Sequence, residues 1–222
     1  MTSEIMDWDS AYRQQAGFTG QPPWNIGEPQ PELAAIIGSD VINDDVLDAG
    51  CGHAELALAL AAQGHLVVGI DLAPTAVAAA TSAAAERGLN NATFVCDDIT
   101  AFRGYDGRFG TIFDSTLFHS LPVEGRDGYL SSIHRAAAPG ARYYVLVFAR
   151  GAFPSDIETK PHEVSESELR AAVSRYFTVD EVRPAFIHVN PVEGMPLAPG
   201  LPVDDKGRPK MSAYLLTAHK TS

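Results

Sequence analysis

Short runs rich in β-branched and aromatic residues alternate along the chain with longer stretches of alanine and leucine. The strand-like runs are Asp45–Ala49, His65–Asp71, Ala92–Asp97, Phe109–Asp114 and Arg142–Ala149, set off by Gly, Pro, Asn or Asp. Their nearly continuous apolar character suits burial on both faces of a sheet. Ala54–Gln63 and Pro74–Arg87 predict helices, with Pro74 suited to a first helical position and Gly64 and Gly88 just past the ends. Gly125–Ala138 predicts a third helix, closed by Pro139-Gly140. This β–α alternation predicts an α/β domain with a mostly parallel sheet and right-handed crossovers.

After Ala149 the texture changes. Residues 150–164 read as a loop with Pro154 and Pro161. Ser165 followed by Glu168 is a capping-box spacing and predicts a helix through about Tyr176. Thr178–Val189 predicts a strand interrupted or demoted at Pro184. Asn190–Lys210 holds five prolines and predicts a long loop. Such a loop is either a lid or an ordered excursion, and apolar Met195, Leu197 and Leu201 tilt the expectation to a lid. Ser212–His219 predicts a final strand. At 222 residues, the chain suits one domain over 1–222.

Charge narrows the partners. A formal net charge of −12 repels phosphate backbones and anionic membranes, so nucleic acid and membrane are not expected. It also suits a neutral or cationic small molecule better than a phosphorylated one. No apolar run approaches the roughly 18–20 residues of a membrane span. The start MTSEIMDWDS lacks the basic and apolar regions of a signal peptide, so the expected location is cytoplasmic. Cys51 and Cys96 form no ligand pattern, nor do the histidines, so no metal is expected.

The candidate chemistry begins at Asp48-Ala49-Gly50-Cys51-Gly52-His53-Ala54. Glycines between a strand and a helix let the backbone turn tightly and approach a ligand beside unpaired helix N–H groups. Asp71 ends the second strand, where a carboxylate can accept both ribose hydroxyls or cap the next helix. NAD and S-adenosylmethionine (SAM) both fit that outline. A pyrophosphate wants GxGxxG, and Glu55 at the third glycine position disfavours it. SAM carries a sulfonium and an amine, which suit the acid Asp48. Asp97-Asp98 stands after the third strand, at the edge where ligands bind.

DAGCGHAE, GIDLAPTAV, FVCDDI, FDSTLFHSLP and APGARYYVLVF, in that order, resemble the motifs of class I SAM-dependent methyltransferases. The resemblance covers about residues 24–150. It implies a Rossmann-like fold with a seven-stranded, mostly parallel sheet, an antiparallel last strand and helices on both faces. It also implies SAM as cofactor and S-adenosylhomocysteine (SAH) as product. Gly50 and Gly52 would approach the cofactor and Asp48 would order its methionine end. Asp71 and Leu72 would hold ribose and adenine, Asp98 and Ile99 would flank the adenine, and Ser115 would lie near the sulfonium. Ala54 departs from the usual third glycine. Pro23–Gln30, with Trp24, resembles the thiopurine and halide methyltransferase branch, where such a segment closes over SAM; residues 1–30 would then be a covering segment. The whole is also similar to mycobacterial heterocyclic toxin methyltransferases, which act on quinolones.

Methyl transfer needs proximity, alignment and a deprotonated nucleophile. His119, just past the fourth strand, is the candidate base, unless the acceptor is already acidic and His119 only orients it. Phe18, Phe118, Phe153, Met195 and Leu197, with Trp24, are candidate walls for a flat heterocycle. The expected activity is O- or N-methylation of a small aromatic heterocycle by a monomer or homodimer. Thiopurine, thiol or halide methylation is the alternative, and a noncatalytic SAM-binding regulator is the other class.

Overall fold

The computed structural model describes residues 7–13, 21–39, 41–43, 45–155, 160–191, 197–198 and 200–221. Phe18 and Met195 lie outside the described residues. Two short helices come first, α1 (Trp8–Tyr12) and α2 (Pro31–Ile37). The alternating part runs β1 (Val46–Ala49), α3 (Glu55–Ala62), β2 (Val67–Asp71), α4 (Pro74–Glu86), β3 (Ala92–Cys96), β4 (Phe109–Ser115), α5 (Arg126–Ala136) and β5 (Ala137–Phe148). It closes with α6 (Glu166–Val173), β6 (Thr178–His188) and β7 (Lys210–His219).

The strands form one seven-stranded sheet in the order β3-β2-β1-β4-β5-β7-β6. The first five strands pair in parallel, and β7 runs antiparallel to both β5 and β6. Period-two side-chain alternation divides the core between the two sheet faces. Along β5, Tyr144, Leu146 and Phe148 join one apolar cluster with α2 and α3, while Tyr143, Val145 and Val147 join the other with α5 and α6. Chain order reverses between β1 and β4, and the turns after β1, β2, β3 and β4 gather along one carboxyl edge. That is where a doubly wound sheet opens its ligand crevice.

Two expectations need correction, and one is decided between its alternatives. Pro184 does not interrupt β6; it marks an outer strand, where it still pairs with Tyr214. An edge strand can face a proline's missing donor away from the ladder. Pro139-Gly140 does not close a helix; it lies inside β5, where the register against β4 shifts between Phe109 and Thr111. β7 starts at Lys210 rather than Ser212, and the loop before it is tied down by a Val203–Pro209 bridge and the Lys210 N–H to Pro202 carbonyl bond of 2.8 Å. The capping box at Ser165 and Glu168 is present as the spacing predicts.

Candidate cofactor and acceptor site

The turn after β1 is held against β2 by Gly50 and Cys51 N–H groups, which both donate to the Ile70 carbonyl at 2.8 and 3.1 Å. Gly50 and Gly52 have φ of 68° and 53°, the left-handed region that glycine enters freely. Space demands glycine as well. A Cβ on Gly50 would stand 2.8 Å from Leu117 Cδ1, and one on Gly52 would stand 2.6 Å from the Tyr12 hydroxyl. Ala54 shares the left-handed backbone, with φ of 63° and ψ of 27°, and is buried. An L-residue held there costs about 1–2 kcal/mol, so the departure from glycine is a strained one.

Asp48 is buried on β1. Its Oδ2 accepts the Ala57 N–H at 3.2 Å, while its Oδ1 is buried with no hydrogen-bond partner among the described residues. Burial pushes its pKa up to about 7, with Asp71 and Asp114 adding to the rise and the Ala57 N–H opposing it. An enclosed carboxylate oxygen without a donor fits a ligand that brings a cation or N–H group. Asp71 closes the far side, its two oxygens taking the Gly52 and Ala73 N–H groups at 2.8 and 2.9 Å. It closes an Asx turn ahead of α4, whose N-cap Ala73 has no side-chain cap, and its carboxylate faces the glycine turn with lone pairs left for hydroxyl donors. Glu55 points elsewhere and pairs with Arg87 at 3.2 Å.

Leu72 is exposed beyond β2. After β3, Asp98 forms an Asx turn, its Oδ1 accepting from the Thr100 N–H and hydroxyl at 2.9 and 2.7 Å, and Ile99 is buried beside it. Trp24 packs edge-on against Trp8, ring centroids 5.9 Å apart, and hydrogen-bonds the Tyr12 hydroxyl. Tyr12 in turn meets the His53 ring edge-on at 5.0 Å. Burial, then the charge of Asp71, raise the Tyr12 pKa, so its hydroxyl stays protonated over the turn. The sequence pattern gave no sign of Tyr12, because α1 spans only Trp8–Tyr12, too short for helical periodicity to register.

The second half of the site is the turn after β4. Ser115 is half-buried at the strand's end, and Thr116 adopts φ of 75°, strained for a β-branched residue. Buried Asp114 holds that strain in place. Its Oδ1 accepts the Leu117 and Phe118 N–H groups at 2.8 and 3.1 Å, and its Oδ2 accepts the Tyr129 hydroxyl at 2.8 Å. The Tyr143 hydroxyl donates to Tyr129 at 3.1 Å. Phe118, buried, carries the Arg126 guanidinium over its ring at 4.7 Å. His119 is also buried, its Nδ1 accepting the Phe148 N–H at 3.3 Å. Its ring lies 4.7 Å from Phe148, which meets Phe153 edge-on at 4.9 Å, forming one aromatic wall.

Burial, then Arg126 and His162, drop the His119 pKa to about 3. A neutral imidazole whose Nδ1 already accepts a bond carries its proton on Nε2. That ring can donate a hydrogen bond but has no free nitrogen to take a proton. The geometry therefore favours the orienting role over the base. Leu197 is half-buried against the cluster that includes Phe148 and Phe153. Among the described residues no group of His, Cys, Asp or Glu can hold a metal ion, and no helix is long and apolar enough to cross a membrane.

The structure thus brings Asp48, Gly50, Gly52 and Asp71 around one turn, and Phe118, His119 and Phe153 around a neighbouring one. Asp114 and Arg126 were legible only in hindsight: one is the last buried acid of a strand, the other a cation at a helix start, where the helix dipole opposes it.

A family model for a methyltransferase domain matches residues 46–140. The chain is 57% identical over 193 residues to 2-heptyl-1-hydroxyquinolin-4(1H)-one methyltransferase of Mycobacteroides abscessus, covering 86% of this chain and 85% of that one. It is 29% identical over 167 residues to the protein named probable thiol methyltransferase 2 of Arabidopsis thaliana, covering 72% and 68%. A solved structure concerned with converting a disulfide bond into a thioacetal group during echinomycin biosynthesis superposes with a TM-score of 0.82 at 29% identity, covering 96% of this chain and 91% of that one.

Proposed function

The chain belongs to the SAM-dependent methyltransferases, and from that premise we propose that it methylates an oxygen or nitrogen of a small, flat heterocycle of the hydroxyquinolone type. The observation that carries the acceptor class is the wall of His119, Phe148 and Phe153 beside the glycine turn. Aromatic faces suit a flat ring, and the orienting His119 suits an acceptor oxygen. The 57% identity to a hydroxyquinolone enzyme supports the same choice.

The cofactor supplies an electrophilic methyl group on a sulfonium. Asp48 Oδ1 is assigned to its amine, Asp71 to the ribose hydroxyls, and Leu72, Asp98 and Ile99 to the adenine. Gly50 and Gly52 allow close approach, Ser115 stands on the sulfonium side, and Trp24 with Tyr12 covers the turn. Phe118, Phe153 and Leu197 line the acceptor space, and His119 donates from Nε2 to the acceptor. The described parts of the 190–210 segment, residues 190–191, 197–198 and 200–210, are assigned as a cover over that space.

The test is methyl transfer to 2-heptyl-1-hydroxyquinolin-4(1H)-one, thiols and thiocyanate in parallel, read by mass spectrometry. The expected outcome is a monomethylated quinolone formed far faster than any methylated thiol or thiocyanate. Preference for a thiol would replace the acceptor class while leaving the family intact.

A further inference from the structure

Arg126 is the one feature of the acceptor side that the assignments above leave without a task. It is the first residue of α5, with its guanidinium over the Phe118 ring. Its Nε and Nη2 are buried and have no hydrogen-bond partner among the described residues. Those two nitrogens form one edge of the guanidinium, the edge whose parallel N–H groups grip an oxyanion.

The neighbouring charges explain why the edge stays unpaired. Asp114 and Glu168 are the acids whose fields reach Arg126. Asp114 is committed to Leu117, Phe118 and Tyr129. Glu168 is committed to Ser165 and to Arg150, at 2.7 and 2.8 Å. His119 lies within reach of both Arg126 and His162, and neither histidine is an anion. The start of α5 adds the positive end of its dipole. A chain of net charge −12 therefore keeps one buried guanidinium edge that none of its neighbouring acids engages. An enclosed guanidinium edge without an anion is costly, and the cost is removed when a ligand brings one.

We propose that Arg126 binds the acceptor as its oxyanion, donating from Nε and Nη2 to the ionised hydroxyl or to an oxygen conjugated with it. This rests on the methyltransferase function above and narrows its substrates to acidic hydroxy- or N-hydroxy-heterocycles. The acceptor loses its proton to solvent before it binds. Its oxygen lone pair then forms the O–C bond as the C–S bond breaks, and that electron pair stays on sulfur. The oxyanion and sulfonium charges cancel, giving a neutral ether and a neutral thioether. No proton is removed in the step, which matches a His119 with no free nitrogen to receive one.

The test uses 2-heptyl-1-hydroxyquinolin-4(1H)-one as probe, titrated into SAH-saturated protein and followed by absorbance across its ionisation range. In the native protein the bound probe should ionise at lower pH than the free one. Arg126→Gln should return that ionisation to the free value and weaken binding of the anion by about ten- to a hundredfold. Arg126→Lys, a charge without the fork, should fall between. SAH affinity should be the same in all three, which establishes that the variants fold. An Arg126→Gln protein that binds the ionised probe as tightly, with the same titration, overturns the proposal. Methyl transfer is measured alongside. No methylated quinolone, with anion binding still dependent on Arg126, overturns the acceptor and keeps the oxyanion site. Normal methylation by Arg126→Gln overturns the oxyanion site and keeps the acceptor.

Discussion

At the scale of single residues, Asp48 sets a testable pH dependence. Its carboxyl, lifted to about 7 by burial, is partly protonated near neutrality before a ligand arrives. A cationic ligand favours the ionised form, so affinity should strengthen as pH rises toward 7, by at most about tenfold per pH unit below the pKa. Asp48→Asn should bind SAM weakly and without that slope, measured by calorimetric titration at several pH values. An equally steep slope in Asp48→Asn would remove Asp48 as its source. Stability runs the opposite way. A raised folded pKa contributes stability fully present below the unfolded value and lost as pH rises through the folded one, so the ligand-free Asp48→Asn protein should gain on the native one as pH increases from about 4 to 7. Asp48 was legible because it stands at the close of β1 just before the glycine turn, and Asp71 because it ends β2. Tyr12 and Arg126 were not, because their meaning depends on Gly52 and Phe118, distant partners that no local pattern announces.

At the scale of elements, the turn after β4 shows how much a strand end can hide. The motif FDSTLFHS marked a crevice, but not that Asp114 reaches back across the turn while Tyr129, on α5, locks it from behind. Tyr129→Phe deletes one buried hydrogen bond to the carboxyl and leaves the Tyr143 hydroxyl only its bond to Asp114. The expected cost is about 1–3 kcal/mol in urea unfolding. Freed of that brace, the strained Thr116 should relax and carry Phe118 and His119 with it. The acceptor KM should therefore rise more than the SAH dissociation constant. Equal changes in the two would mean that Tyr129 supports the fold without positioning the turn. The same gap between pattern and pairing explains Pro184 and Pro139-Gly140. Proline breaks a strand only when its missing N–H faces a partner, and composition does not say which strand is outermost. β1, β2 and β4 were readable because burial on both faces makes them continuously apolar, whereas β3, half-exposed at the sheet edge, was readable from its β-branched and aromatic content between turn residues.

At the scale of the whole molecule, the segment around Trp24 and the loop before β7 are joined by charge. Glu28 receives Lys206 and Arg208, both at 2.7 Å. Arg208 Nε reaches Asp204 at 2.7 Å, and Asp204 meets the His188 ring at 2.9 Å. Gln30 exchanges two hydrogen bonds with the His188 backbone, and the Asn190 N–H donates to the Pro23 carbonyl at 2.8 Å. Proline content marked the loop; its partners, far away in sequence, could not be read from it. Burial opposes ionisation of Asp204, but the Arg208 backbone N–H, the His188 ring and the Arg208 guanidinium hold its pKa well below the ordinary carboxylate range. That stability is present above the ordinary range and lost as pH falls through the lowered value, so the clamp stays closed at neutral pH. Arg208→Met should release both segments together. Limited proteolysis should then cut near residues 21–30 and near 200–209 severalfold faster, and SAH should dissociate faster, with the cleavage pattern unchanged between about pH 6 and 8. Faster cutting near 200–209 alone would show that the two segments are held independently. Joint release with faster SAH loss would support their proposed role as one shared cover.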